Sequence, residues 1–157
     1  MKRWLGMFAL ASLAGCQGYP VAPFVVNAAD RPAADTAIFV AIDQTTGINS
    51  ITTVSAVDGQ RLACDWNYGC PVWVRVRPGA HQFQVNLQAG YYGRYQSSLA
   101  IPMTGMLPRH VYVTRYDIDT ANMKLRYRVE DLGERPDFAI HLPFGPMPPT
   151  VHLPATF

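Results

Sequence analysis

Two segments in the middle of the chain alternate strictly between apolar and polar residues. Residues 72–77 read Val-Trp-Val-Arg-Val-Arg, and residues 81–88 read His-Gln-Phe-Gln-Val-Asn-Leu-Gln. A period of two with one apolar face is typical of strands half-buried in an antiparallel sheet. Pro78 and Gly79 lie between the segments and favour a turn. The sequence therefore predicts a β-hairpin, with the three valines facing inward and Trp73, Arg75 and Arg77 facing outward.

Further strands are predicted on both sides of this hairpin, and turn signals separate them. Asp58-Gly59 is a strong tight-turn signal, and residues 119–122 supply a turn between the last two segments. The additional strand segments, which are rich in β-branched and aromatic residues, are 36–43, 51–57, 96–101, 109–118 and 123–132. About seven short strands with no convincing helix predict an all-β fold, either a sandwich or a barrel.

The first fifteen residues have the layout of an export signal. Lys2 and Arg3 precede an uncharged, mostly apolar run at 4–14. This run is shorter than the roughly 20 residues that a membrane-spanning helix needs, so we interpret it as a processing segment. It ends in Leu13-Ala14-Gly15-Cys16, which resembles the bacterial lipobox. The resemblance implies that a diacylglycerol is attached to the sulfur of Cys16 and that a peptidase then cuts before Cys16.

The lipobox resemblance also bears on location. Gln17 stands where enterobacterial lipoproteins of the inner membrane carry an aspartate, so the resemblance favours the outer membrane, facing the periplasm. Lipoproteins of this type carry several acyl chains, and several chains give stable attachment where one is marginal. We therefore expect a protein of the cell envelope that contacts the membrane through the lipid on Cys16.

Composition divides the chain into four parts. Removal of residues 1–15 leaves 142 residues, which suits one domain with tails. Residues 16–35 predict a lipidated tether rich in Pro, Ala and Gly, although Phe24 and its neighbours Val21, Val25 and Val26 indicate that part of the tether docks on the domain. Residues 36–135 form the predicted β-sandwich domain, and 136–157 form a Pro-rich C-terminal tail.

The C-terminal tail contains five prolines after Pro136. Because proline cannot donate to a β-ladder, the tail cannot be a central strand, and we predict an extended segment of polyproline character. Two interpretations stay open. The tail either packs across its own sandwich, covering an edge strand, or docks on a partner; we favour the first.

Charge and cysteine content exclude some classes of function. The 13 basic residues include Lys2 and Arg3, so the processed chain has 11 basic and 11 acidic residues, and nucleic-acid binding is disfavoured. With Cys16 assigned to lipid, Cys64 and Cys70 remain in an oxidising compartment, where disulfides persist. We expect a structural disulfide between them rather than a metal site or a redox motif, which would need more ligands or tighter spacing.

Two turn motifs carry a family resemblance. Val57-Asp58-Gly59-Gln60, and then Pro78-Gly79-Ala80-His81 between alternating segments, are similar to PEGA-type domains and to a group of uncharacterised bacterial lipoproteins. The resemblance covers about residues 36–132, and the cysteine loop is an insertion relative to PEGA-type chains. It implies an immunoglobulin-like or transthyretin-like sandwich with an envelope role, and it carries over no catalytic residue.

No combination of residues predicts an active site. The four histidines lack the spacing of a metal site, and His81 is interpreted as a hydrogen-bonded structural residue. Asp117 and Asp119 lack the other ligands of a calcium loop and are interpreted as turn formers. Ser97 and Ser98 lack a nucleophile-elbow context. We therefore expect no enzyme, no metal and no cofactor.

One aromatic cluster is a candidate binding patch. Tyrosine and arginine are enriched at binding hot spots. The alternative interpretation is that these aromatic side chains only cover a loop. Its residues are Trp66, Tyr68, Tyr91, Tyr92, Arg94 and Tyr95.

Three hypotheses for function follow. The first is a non-enzymatic structural or protein-interaction module with an envelope protein as partner. The second is a glycan- or peptidoglycan-binding module that uses the aromatic patch, and the third is a subunit of a secretion system.

Overall fold

The computed structural model describes residues 24–41, 50–64, 70–89, 95–119, 121–134, 137–141 and 150–154. Within these residues the strands, in chain order, are β1 (Phe24–Val25), β2 (Ala37–Val40), β3 (Ser50–Val57), β4 (Gln60–Arg61), β5 (Trp73–Val76), β6 (Gly79–Ala89), β7 (Tyr95–Met106), β8 (His110–Asp119), β9 (Lys124–Glu134), β10 (Asp137–His141) and β11 (Thr150–Pro154). A single turn of 3-10 helix, Ala33–Asp35, precedes β2. None of the described residues belongs to a helix with the length and apolarity that crossing a membrane requires.

The fold is an all-β sandwich. One sheet has five strands in the order β1-β5-β2-β8-β9, and the other has four in the order β4-β3-β6-β7. Neighbouring strands are antiparallel except for the pairs β1–β5 and β2–β8, which are parallel. The two sheets contain more strands than the sequence predicted because β1 and β4, each of two residues, are too short to leave a periodic pattern.

The core lies between the two sheets. Phe39 of β2 and Phe83 of β6 stack face to face, with ring centroids 3.9 Å apart and planes inclined by 7°. Val74 and Val76 of β5 belong to the same buried cluster as Val54 and Val85 of the opposite sheet. Alternate residues of each strand thus meet across the sandwich, and burial of these apolar faces is the main favourable contribution to folding.

The predicted hairpin between 72–77 and 81–88 is wrong. Both segments are strands, but β5 pairs with β1 and β2, whereas β6 pairs with β3 and β7. Between them the chain crosses from one sheet to the other at Arg77, Pro78 and Gly79, and Gly79 has a φ of +125° that favours glycine. Val74 and Val76 face the core as expected, but Trp73 on the other face is 3% exposed, so β5 is buried on both sides.

Two turn predictions are confirmed. β3 and β4 are joined by Asp58 and Gly59, whose φ values of 50° and 78° are typical of a type I′ hairpin turn. β8 and β9 pair antiparallel across the turn that follows Asp119. The side chain of Asp119 accepts hydrogen bonds from the backbone N–H and side-chain amide of Asn122, which stabilises this turn.

Both ends of the described chain contain more β-structure than the sequence predicted. In the predicted tether, β1 pairs with β5, and Val26 is 3% exposed within the core. In the predicted tail, β10 and β11 form a two-stranded antiparallel sheet, and the prolines at 143, 146, 148 and 149 lie outside the described residues. Strand β7 continues through Pro102 to Met106. A proline is tolerated there because β7 is an edge strand in the described sheet.

The predicted disulfide is present. Cys64 and Cys70 are bonded, with Cα atoms 4.1 Å apart. Directly after the bond, the carbonyl of Pro71 accepts from the N–H of Val54 in β3, and the carbonyl of Val72 accepts from the N–H of Ala41 after β2. The segment that follows the disulfide therefore bonds to both sheets. The disulfide therefore restrains the chain where it passes from β4 in one sheet to β5 in the other, which is a different crossing from that between β5 and β6.

We predict that the double variant Cys64→Ala, Cys70→Ala loses about 2 kcal/mol of unfolding free energy, because a short cross-linked loop restrains the unfolded chain to a small extent. Urea denaturation followed by tryptophan fluorescence measures the loss. The wild-type chain under reducing conditions is the control and should match the variant. A wild-type midpoint that does not change on reduction would contradict the prediction.

Candidate functional site

The predicted aromatic patch lies largely outside the described residues. Cys16 and the patch residues Trp66, Tyr68, Tyr91, Tyr92 and Arg94 all fall outside them. The backbone of Tyr95 begins β7 and pairs with Ala89. The cysteine loop adjoins the middle of β3 through the Val54–Pro71 hydrogen bond, and Val54 pairs with Val85. Ala89 is four positions after Val85 in β6, so the points where the two loops join the sheet are about 13 Å apart along this strand.

A polar cluster connects three turns at one end of the sandwich. The two ring nitrogens of His81 lie 2.7 Å from Oδ2 of Asp58 and 2.7 Å from the carbonyl oxygen of Arg77. The other carboxylate oxygen of Asp58 accepts from the backbone N–H of Gln82 at 2.8 Å. The Arg77 guanidinium in turn donates to both carboxylate oxygens of Asp30. We call Asp30, Asp58, Arg77 and His81 the corner cluster.

The corner cluster fixes the crossing between the sheets. Asp58 belongs to the β3–β4 turn, Arg77 to the crossing itself, and Asp30 to the segment after β1. Burial opposes ionisation of Asp58, but hydrogen bonds from the N–H of Gln82 and from His81 outweigh it and hold the pKa of this carboxyl below its usual range. The Arg77 hydrogen bond lowers the pKa of Asp30. Because both ring nitrogens of His81 contact oxygens, the histidine acts as a structural link.

A second histidine–carboxylate pair joins β8 to β9. Nδ1 of His110 lies 3.0 Å from each carboxylate oxygen of Asp131, and Asp131 also accepts from the N–H of Gly133. Burial opposes ionisation of Asp131, yet the bonds from Gly133, His110 and Tyr112 hold its pKa below its usual range. Burial raises the pKa of the Tyr112 hydroxyl, which accepts from the N–H of Leu107. These groups are also joined into one hydrogen-bonded network.

The outer face of the four-stranded sheet carries amide and hydroxyl side chains. Register places Gln84 opposite Ala100, and Asn86 between Thr53 and Ser98. Gln84 donates to the Ser98 hydroxyl at 2.7 Å, and that hydroxyl donates to Asn86 at 3.0 Å. We call the following residues the amide face: Thr53, Gln82, Gln84, Asn86, Gln88, Gln96 and Ser98.

The amide face is free of charge. No charged residue occupies its positions in the described parts of β3, β6 and β7. On the adjacent strand β4, Arg61 lies in the same row of the register, because it pairs with Ala56, which pairs with Gln84. Sequence reasoning identified the polar side of β6 but did not interpret it as a site. The available signal was the absence of charge at the even positions 82–88. These positions become part of a wider surface only when β6 pairs with β3 and β7, whose polar residues lie beside them.

Strand β7 is the long edge of this sheet. It spans twelve residues, Tyr95–Met106, none of them charged, and in the described sheets it pairs with β6 alone. The hydroxyl of Tyr127 in β9 donates to the carbonyl of Ala100 at 3.3 Å, which links this edge to the opposite sheet. Uncharged edges are unusual because exposed edge strands commonly carry charges that prevent pairing with other chains.

Among the residues that the structure describes, no group of three or more His, Cys, Asp or Glu side chains could hold a metal ion. Comparison of the chain with protein-family models, curated proteins and solved structures gave no match.

We predict that Asp58→Asn lowers the unfolding free energy at pH 7 by about 1 kcal/mol, a modest value because the carboxylate is 41% exposed and screened by solvent. The folded pKa of Asp58 is depressed. Its stabilisation is therefore complete above the unfolded pKa of about 3.9 and is lost as pH falls through the folded pKa. The difference between wild type and variant should disappear in that acidic range.

Urea titrations at a series of pH values measure this difference, with Asp117→Asn, at an exposed position of β8, as the matched control. A wild-type-to-variant difference that persists unchanged to the most acidic pH would argue against the charged hydrogen bonds as its source.

Proposed function

We propose that this chain is a lipid-anchored lipoprotein of the bacterial envelope whose β-sandwich is a non-enzymatic module for protein interaction. The observation that carries the proposal is the leader that ends in Leu13-Ala14-Gly15-Cys16. Seven residues, 17–23, separate Cys16 from the first strand of the sandwich. The proposed location is the outer membrane, with the domain facing the periplasm.

The histidine–carboxylate pairs support a structural use of the domain's titratable groups. The two ring nitrogens of His81 contact the carboxylate of Asp58 and the carbonyl oxygen of Arg77. His110 and Tyr112 are both tied to Asp131. In each case the polar groups join turns or strands to one another, which is what a rigid scaffold needs.

Strand β7 supports protein interaction. An extended peptide can add to an exposed sheet edge through main-chain hydrogen bonds, and β7 offers twelve uncharged residues for such an addition. The predicted aromatic residues Tyr91 and Tyr92 lie four and three positions before the start of this edge in sequence. We therefore assign the envelope partner to the β7 edge.

A second candidate, a glycan-binding module, is favoured by the amide face. Carboxamides and hydroxyls both donate and accept hydrogen bonds, as do the hydroxyl and acetamido groups of an uncharged glycan. The two candidates use different surfaces, since the partner strand would add beside β7 whereas a glycan would lie across β3, β6 and β7.

We predict that Cys16→Ser abolishes incorporation of an alkyne-labelled fatty acid. We also expect the processed form of the chain to disappear from the membrane fraction. Labelling in cells followed by fractionation measures both effects. The variant Cys64→Ala, Cys70→Ala is the matched control and should stay labelled, because only the sulfur of Cys16 follows the lipobox pattern. Undiminished labelling of Cys16→Ser would sink the lipoprotein proposal.

We predict that Ala100→Lys loses most of the protein captured by crosslinking in cells, because a lysine on an edge strand disfavours strand addition. Gln84→Lys is the matched control, since Gln84 pairs with Ala100 and shares its face but lies on the central strand β6. This control should retain the protein partner. Mass spectrometry of the crosslinked material identifies what is captured.

The same experiment separates the two candidate functions. Recovery of muropeptides that is lost in Gln84→Lys would favour the glycan-binding module. A protein partner that survives Ala100→Lys would contradict the assignment to the β7 edge.

A further inference from the structure

The five-stranded sheet has a second apolar face, directed away from the four-stranded sheet. Ile38 lies opposite Val111, and Val40 lies between Trp73 and Val113. These positions alternate with Phe39 and its core neighbours, so the side chains are on the other side of the sheet. We call the following residues the outer apolar face: Ile38, Val40, Trp73, Val111 and Val113.

The outer apolar face is buried. Ile38 and Val111 are 0% exposed, Val40 2%, Trp73 3% and Val113 6%. A side chain with no exposed area is enclosed by other atoms, and the four-stranded sheet covers the opposite face. Burial also lowers the pKa of Arg75, which lies opposite Ile38 on the same side. A further segment of the chain must therefore cover this face.

The register of the C-terminal hairpin gives it one apolar face. Phe138 pairs with Leu153, and Ile140 pairs with Val151, so these four positions share one side of the hairpin. The alternate positions, which share the other side, are Asp137, Ala139, His141, Thr150, His152 and Pro154. An isolated two-stranded hairpin is marginally stable in water, so it needs a surface to pack against.

The connection and the dimensions fit the outer apolar face. β9 ends at Glu134, opposite His110 and next to Val111, and Asp137 begins the hairpin three residues later, a reach of up to about 10 Å. Strands β5, β2 and β8 span about 10 Å across the sheet. Two hairpin strands of five residues, each about 17 Å long, cover an area of that width.

Four other segments are less suitable. Residues 90–94 join two strands of the opposite sheet, and residues 65–69 are bounded by the disulfide, next to which Pro71 bonds to β3. Residues 42–49 are mostly polar, and the leader at 1–15 is removed in the proposed lipoprotein. We propose that the β10–β11 hairpin docks its Phe138, Ile140, Val151 and Leu153 face on the outer apolar face and forms a third layer of the domain.

Thiol labelling tests the proposal. The full chain, produced with its own leader and purified from membranes, carries Val40→Cys, and peptide-resolved mass spectrometry measures maleimide labelling at position 40. Ile140→Asp with Leu153→Asp should raise the labelling rate by about tenfold or more, because charges on the apolar side favour local opening. Ala139→Asp with His152→Asp, on the other side of the hairpin, is the matched control and should leave the rate unchanged.

A second probe separates uncovering from unfolding. Val85→Cys lies in the core between the sheets, and its labelling should stay slow in every variant. An unchanged rate at position 40, or an equal rise with the control pair, would overturn the proposal and assign the cover to another segment. An equal rise at positions 40 and 85 would also overturn it, because the face would then have no separate cover.

If the charged variants fail to fold, crosslinking decides the question. A short bis-maleimide should join Val40→Cys to Ile140→Cys more efficiently than Val40→Cys to Ala139→Cys. Equal efficiency for the two pairs would contradict the docking.

Discussion

The stack of Phe39 on Phe83 joins the two sheets, and the rest of the domain is arranged around it. The rings belong to β2, the central strand of the five-stranded sheet, and to β6, one of the two inner strands of the four-stranded sheet. Aromatic side chains bury large apolar areas, and their pairing adds to the energy of burial. Every other strand of these two sheets is bonded directly or through a neighbour to β2 or β6. We therefore expect a substitution at this contact to destabilise both sheets. The corner cluster adds polar contacts at one end of the two sheets that this aromatic contact joins.

The sequence predicted what each strand contributes to the core, but it did not predict which strand lies beside which. Alternation identified 72–77 and 81–88 as strands and placed Val74 and Phe83 on buried faces, where both are found. It also suggested a hairpin, because a short turn between two alternating segments has the same pattern whether the strands pair or cross between layers. The crossing is specified by contacts distant in sequence, such as Asp58 with His81 and Asp30 with Arg77. Single-segment periodicity carries no information about those contacts.

The candidate surfaces were predictable to different degrees. The disulfide could be predicted because two cysteines remained once Cys16 had been assigned to lipid. The amide face could not be recognised from one strand, since its continuity arises when Gln84 and Asn86 meet Ser98 across β6 and β7. The full length of the uncharged edge at β7 was not predicted, because the predicted strand 96–101 stops before Pro102 whereas β7 continues to Met106. A proline ends a central strand, whereas on an edge its missing N–H has no partner to lose.

The position of β1 has a mechanical consequence for a chain held by lipid at Cys16. Any force between a membrane and the domain would enter through residues 17–23 and reach the sandwich at Phe24. There the first load would fall on two parallel residue pairs, with Val74 and Arg75 of β5. Behind them lie the buried Val26, whose N–H bonds to the Arg75 carbonyl, and the two-pronged contact of Asp30 with Arg77. In the proposed lipoprotein, a pulling force would therefore separate a short edge strand from the sheet before it acted on the core, so β1 would absorb the first load between the proposed anchor and the sandwich.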